Sequence, residues 1–253
     1  MKLFKEREFE QTFFFTSVKK YYALRRMNSI IAFLIFIPII VSSIKSIKTP
    51  YLISYCISAI FIYGTWIFER TTKSIILEEG RFFIIIQVLL HSFFGTWLGF
   101  YSRFNYYDDI LHILGGICLA VVIFPYVLGE ELIWSNRKNT FLIYKVNIII
   151  YGLVNTLGVF WEIGEFCSDL IFKKYPGYRL AQEGSLFDTM TDLIYDNIGA
   201  IIGICILWRI TIKLNKQRNM SEVFKKLVIP LREIVNTKVK NYCNEDNYTI
   251  NDK

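Results

Sequence analysis

The sequence predicts an all-α polytopic membrane protein, a bundle of about six transmembrane helices with both termini cytoplasmic. Three observations predict it. Of 253 residues, 53% are hydrophobic and 17% aromatic, too apolar for one soluble domain. Six stretches are long and apolar enough to span, at about 20 residues each. Finally, of the 29 Lys and Arg, all but six (Lys45, Lys48, Arg103, Lys173, Lys174 and Arg179) fall on one side of the resulting topology. Positive charge collects on the cytoplasmic side, so the +7 net charge reads as topology and not as a nucleic-acid footprint.

Residues 1–27, "MKLFKEREFEQTFFFTSVKKYYALRRM", mix aromatic and basic side chains and suit a cytoplasmic juxtamembrane segment along the inner interface. The first span, near 28–45, carries Pro38, which membrane helices tolerate. No A-x-A site ends it, so it is expected to remain as an anchor and not as a cleaved signal. Further spans are expected near 51–68, 82–101, 109–128 (with Pro125), 144–166 and 189–212. Short loops make successive helices antiparallel neighbours. The longest external loop is 168–187. In the tail, 213–253, Val223, Phe224, Leu227, Val228, Leu231, Ile234 and Val235 recur at helical spacing among lysines. That pattern fits a basic amphipathic helix on anionic lipid and equally a loose solvated tail. Four cysteines lie in or at the ends of spans and one in the tail, with no C-x-x-C or disulfide spacing.

Four of the spans carry a polar or small stripe at steps of three and four, which stack on one helix face. The third has Gln87, His91, Gly95 and Gly99. The fourth opens with "YYDDILHILGG", giving Asp108, Asp109, His112, Gly115 and Gly116. The fifth has Asn155, Gly158, Glu162, Glu165 and Asp169, and the sixth Asp188, Asp192, Asp196, Gly199 and Gly203. The first two spans have no ionisable residue at their centres. A charged side chain at mid-bilayer costs roughly 2.5–3.5 kcal/mol, so the stripes are expected to face one another. The topology puts Asp109, His112, Glu162, Glu165, Asp188 and Asp192 at one level, toward the outer face. His91 and Asp196 lie deeper, as a floor.

Plainer roles compete with a site. Asp108 and Asp188 suit ordinary helix N-caps. Gly199-x-x-x-Gly203 fits a helix-packing face, and His91 a buried hydrogen-bonding histidine. Asp169, Lys173 and Lys174 suit simple head-group contacts. Glu162 and Glu165 resist such accounts, because a helix C-terminus disfavours negative charge. Asp192 and His112 lie a turn inside their helices, where no cap is needed. Glu162, Glu165, His112 and Asp192 are therefore the candidate catalytic groups.

Carboxylates and histidines at i, i+3 and i+4 on facing helices are how helical bundles build metal sites. The candidate ligands are Asp109, His112, Glu162, Asp188 and Asp192, with His91, Asp196 and Asn197 in support. An oxygen-rich set in a chain with two histidines suits Mg²⁺ or Mn²⁺; zinc on two histidines and a carboxylate is also open. Lys173, Lys174 and Arg179 are the candidates to hold an anionic head group. Without metal, Glu162 or Glu165 would serve as general base.

The signatures of rhomboid proteases, acid phosphatases and alcohol phosphotransferases are absent, and "EELIWSNR" has the wrong spacing for a prenyl-protein protease. "YDDILHILGG", "WEIGEF" and "FDTMTDLIYDNIGAIIG", in that order over roughly residues 60–210, resemble the motifs of the YjdF-type family of bacterial inner-membrane proteins without established function. More loosely, Asp109-x-x-His112 and Asp192…Asn197-x-Gly199 are similar to motifs of VanZ-like membrane proteins. The first resemblance implies a polytopic fold, the bacterial cytoplasmic membrane, and importance of Asp109, His112, Glu162, Glu165, Asp188, Asp192 and Asn197. It implies no reaction. Three functions accommodate the pattern: a metal-assisted hydrolase or transferase on lipid or lipid-linked substrates, a proton- or cation-coupled transporter, and a non-catalytic membrane component. The apolar "AIIGICILW" below Asp196 and the absence of repeats weigh against the transporter.

Overall fold

The computed structural model describes residues 18–44, 49–72, 76–134, 140–215 and residue 228. No strand occurs among them. The helices are α1 (Val18–Ala32), joined by a 3₁₀ turn (Phe33–Ile35) to α2 (Phe36–Ile44), then α3 (Thr49–Thr72) and α4 (Glu78–Leu89), which continues as wider π-helical turns (Leu90–Trp97). A short α5 (Phe100–Arg103) precedes the long helices α6 (Tyr107–Trp134), α7 (Thr140–Phe172) and α8 (Leu186–Asn215). Six stretches are long and apolar enough to cross a membrane: Tyr22–Ile44, Thr49–Thr72, Glu78–Trp97, Tyr107–Glu131, Tyr144–Phe172 and Leu186–Arg209. The protein is thus a multi-pass membrane protein of the expected helix count. The juxtamembrane segment up to residue 17, and the tail after Asn215 except residue 228, lie outside the described residues. Val228 is buried in a cluster with Leu128, Val146 and Leu207.

Local chemistry sets the breaks. Pro38 has no N–H to give the carbonyl of Leu34 and its ring crowds that carbonyl, which lies in the 3₁₀ turn where the helix tightens. The third span stops at Trp97, earlier than the expected 101, because Gly99 adopts a left-handed φ of 76°, a conformation glycine enters without steric cost. The loop expected over 168–187 is shorter, since α7 runs on to Phe172.

In lipid there is no hydrophobic drive between helices, so close approach of backbones holds a bundle together. α6 and α8 supply that approach. A Cβ at Gly116 would sit 2.6 Å from the Asp196 carbonyl oxygen. One at Gly203 would sit 2.8 Å from the Ala120 Cβ, and one at Gly199 would strike the Ile113 carbonyl oxygen. The expected packing role of Gly199 and Gly203 is therefore met. α7 closes the groove beside this pair. Ala120, Phe124, Val146, Ile150, Val154, Ala200 and Leu207 fill the space between the three. On the other side α4 packs on α6, and Ala32, Ile35, Ile62, Ile85 and Leu89 bind the first two spans to it. The outward faces carry exposed Ile, Leu and Phe, among them Ile60, Ile148, Phe160 and Ile194, as a lipid-facing surface requires.

Candidate functional site

The antiparallel run of helices brings the start of α6, the end of α7 and the start of α8 to one end of the bundle. His112 stands at the centre of what gathers there. Its Nδ1 lies 3.2 Å from Asp196 Oδ1. Its Nε2 lies 3.7 Å from Asp108 Oδ1, 3.9 Å from Glu162 Oε1 and 3.7 Å from Asp192 Oδ1. His112, Glu162, Asp192 and Asp196 are 7%, 4%, 1% and 8% exposed. With a carboxylate accepting the Nδ1 hydrogen, a neutral imidazole would turn its Nε2 lone pair toward the other acids, as a metal ligand requires.

Glycines make this convergence possible. A Cβ at Gly158 of α7 would overlap Asp196 Oδ2, and Gly116 of α6 lies against the Asp196 backbone. Asp196 occupies the space that two missing side chains leave, and so reaches the imidazole from below.

The acids are under-compensated. Neither carboxylate oxygen of Glu162 or of Asp192 accepts a hydrogen bond among the described residues, nor does Asp188 Oδ2. Buried carboxylates without partners are costly, and four acids within 4.0 Å of one imidazole leave surplus negative charge. A cation resolves both problems. Donor atoms of His112, Glu162 and Asp192 lie within 4.8 Å of one another. Ions bonded at about 2.0–2.2 Å hold their ligand atoms up to roughly 4 Å apart, so the group fits a shared divalent ion with little adjustment.

The remaining candidates fall around this centre. Glu165, a turn beyond Glu162, accepts the Trp161 indole hydrogen at 2.9 Å and stays in electrostatic reach of Glu162, Asp108 and His112. Asp188 lies a turn above Asp192 and acts on it through space. His91 stands in the side wall instead of the floor. Its Nδ1 is 2.6 Å from the Tyr101 hydroxyl and its ring is edge-on to Trp161 at 5.0 Å. The π-helical turns that carry it also bring buried Gly95 against the Tyr101 ring, for which its missing side chain leaves room. Gln87 reaches the Leu111 carbonyl at 2.9 Å.

Two expectations are redirected. Asp108, four residues before His112 and expected as a possible cap, points at the imidazole. Asp109 is half-buried and makes no ion pair or hydrogen bond in the cluster. The i, i+4 step places Asp108 over His112, whereas i, i+3 swings Asp109 round the helix. Asn197, one residue after Asp196, accordingly turns away, donating to the Leu193 carbonyl at 2.6 Å and accepting from Tyr151.

Lys173 and Lys174 are exposed beyond α7. Arg179 instead folds back over the Tyr101 ring, its guanidinium carbon 5.2 Å from the centroid, and pairs with Glu183. Asp169, expected as a head-group contact, pins this loop. It accepts from the Ala181 and Gln182 amides at 2.7 and 3.1 Å and from the Tyr178 hydroxyl at 3.0 Å. Burial pushes the Tyr178 hydroxyl up to about 12, so it stays a donor.

A second polar cluster lies at the opposite end, around the junction of the second and third spans. Arg81, fully buried, holds Glu69 at 2.7 Å, Thr65 at 2.8 Å and Glu78 at 3.3 Å, and stacks on Trp66 at 4.5 Å. Arg25 approaches Glu69 and Glu78 at 3.6 and 3.9 Å, and Asn28 donates to the Glu78 carboxylate at 2.9 Å. Glu69, Glu78 and Arg81 lie outside the expected spans, which end at 68 and resume at 82; the i, i+3 spacing of Glu78 and Arg81 is the signal that the sequence carries for it.

The family model described as "Predicted membrane protein (DUF2238)" matches residues 27–213. An uncharacterised protein of Thermotoga maritima is 29% identical over 184 residues, covering 73% of this chain and 90% of the relative. No solved structure matches. The YjdF-type resemblance is to this same family; these matches add nothing to the VanZ-like one. With its three motifs placed on the converging ends of α6, α7 and α8, the chain belongs to the DUF2238 family of predicted membrane proteins.

Proposed function

We propose that this protein is a metal-assisted hydrolase or transferase acting on a lipid or lipid-linked substrate, at the outer face of a bacterial cytoplasmic membrane. The observation that carries the reading is the set of four unpartnered carboxylate oxygens on Glu162 and Asp192, buried beside the Nε2 of His112. His112, Glu162 and Asp192 would hold a divalent ion, Mg²⁺, Mn²⁺ or Zn²⁺, with Asp108 and Asp188 as further oxygen donors. Asp196 orients the imidazole and raises its basicity as a ligand. A bound ion supplies Lewis-acid polarisation of a phosphoryl or ester oxygen.

The chain's own residues supply the rest. Glu165 stands beside the centre and is the candidate general base, positioned by Trp161. The aromatic wall of His91, Tyr101 and Trp161 excludes water from one side. The outer orientation follows from the placement of Lys and Arg. A coupled transporter would use the same acids as a relay. It would have to pass the apolar cluster of Phe124, Ile150, Val154 and Leu207 to reach the opposite end, so this reading is second.

The test is turnover. Detergent-purified protein is incubated with a panel of phospholipids and polyprenyl phosphates. Product formation that chelator abolishes and that Glu162→Gln lowers at least 100-fold supports the reading. Turnover indifferent to both would refute it.

A further inference from the structure

We propose that Arg179 and Glu183 form an anion seat at the mouth of the His112–Glu162–Asp192 centre, in which a phosphate-bearing substrate replaces the Glu183 carboxylate on the Arg179 guanidinium. The proposal rests on the metal-centre reading for its use in turnover and deepens it, because it names the substrate's chemistry.

The loop that carries the pair is built into the site. Residues 179–182 are tied to α7 by the Asp169 carboxylate and to α3 by the Tyr51 hydroxyl, which accepts the Arg179 amide at 3.1 Å. Gln182 Nε2 reaches Thr189 Oγ1 on α8 at 3.0 Å and the Glu162 carbonyl oxygen at 3.4 Å. The segment thus bridges both helices that carry the acids. Over it, Arg179 rests on the Tyr101 ring, whose hydroxyl meets His91. The charges of Arg179 and Glu183 both act on Asp108 and Asp188, which places the pair at the entrance of the centre and not on a remote surface.

The backbone singles out Glu183. Among the described residues it is the sole non-glycine with positive φ, at 47°, followed by Gly184 at 73°. A side chain in the left-handed region is disfavoured, and such positions persist where surrounding structure holds them, often at ligand clamps. Here the bend turns the Glu183 carboxylate back onto Arg179. Planar guanidinium binds carboxylate and phosphate with the same fork of donors, so Glu183 occupies the place a phosphate oxygen would take. The pair is a third or more exposed on each side, 35% and 52%. Exposed ion pairs are weak, so a dianionic phosphate displaces the carboxylate into water. No bond is made or broken in this exchange.

The experiment measures phosphate binding to the full-length protein in detergent by calorimetry, with and without Mn²⁺, while spin resonance records Mn²⁺ occupancy. The probes are inorganic pyrophosphate, dioctanoyl phosphatidic acid, and dioctanoyl glycerol as the phosphate-free control. Arg179→Gln is expected to weaken phosphate binding about tenfold or more, and Glu183→Gln to tighten it several-fold, with Mn²⁺ occupancy unchanged in both. A response with pyrophosphate alone identifies a free phosphate as ligand; a response with phosphatidic acid alone identifies a lipid head group. Phosphate affinities that match wild type in both variants overturn the seat, and so does equal binding of dioctanoyl glycerol. Absence of bound Mn²⁺ from wild type counts against the metal centre and leaves the seat to be decided by the phosphate titrations.

Discussion

The two ends of the bundle bury charge in opposite ways. At the Glu78 end, two arginines face Glu69 and Glu78, each carboxylate in contact with both guanidiniums. At the Asp108 end, one imidazole faces four carboxylates, and the oxygens of Glu162 and Asp192 have no hydrogen-bond donor among the described residues. Burial of ions is tolerated when they are paired and hydrogen-bonded. The first cluster pairs its charges internally, although Glu69 Oε1 accepts no hydrogen bond among the described residues, and it joins the first two spans to α4. The second does not, among the described residues; on the reading proposed above, a metal ion supplies the missing partner. Burial and acidity alone do not mark a site; the unmatched balance of charge does.

Substitutions can break this contrast. The largest effect is expected from Arg81→Met, which leaves Glu69 and Glu78 short of their main cation. Breaking a buried pair from one side costs about 3–5 kcal/mol, seen as a lowered midpoint of thermal unfolding in detergent. Glu162→Gln/Asp192→Asn should do the reverse in chelator, raising the unfolding midpoint because like charges no longer meet. With metal at 100 times its dissociation constant, wild type should gain about 2.7 kcal/mol and the double variant none. A destabilised double variant in chelator would show that the acids are mutually satisfied after all.

Gly158→Ala sharpens the comparison without removing any charge. The new methyl overlaps Asp196 Oδ2, and overpacking costs roughly 1–3 kcal/mol. Displacing Asp196 releases the imidazole, so weakened metal binding is expected alongside the stability loss. Unchanged metal affinity would exclude Asp196 as the group that orients His112. The smallest effect on the site is expected from Tyr178→Phe, which removes the hydroxyl's hydrogen bonds to Asp169 and Ser168, each worth about 1 kcal/mol. It should loosen the 173–185 loop to proteolysis and leave metal affinity as it was.

Much of this architecture was legible in the residues. Stripes at three and four placed Glu162, His112 and Asp192 on facing helices. The glycines of α6 and α8 announced their close approach, and helix polarity put the acids at one level. What the pattern could not resolve was azimuth. Asp108 and Asp109 differ by one residue and about 100°, so either could be assigned to His112 until α7 and α8 fixed which side was inward. Asn197, singled out by the family resemblance, bonds to Tyr151 and to the Leu193 carbonyl and not to the cluster. The Arg81 cluster escaped because charged residues at the ends of apolar runs look like loop. Arg179 is placed by Asp169 and Tyr51, contacts distant in sequence that no local pattern encodes.

On the reading proposed above, the Asp108 end completes itself with a metal ion. Elemental analysis of the detergent-purified protein, beside the Glu162→Gln/Asp192→Asn variant, tests it most directly. Stoichiometric divalent metal is expected in the wild type, and its loss in the variant. Wild-type protein without metal after exposure to Mg²⁺, Mn²⁺ and Zn²⁺, or metal retained equally by both, would contradict it.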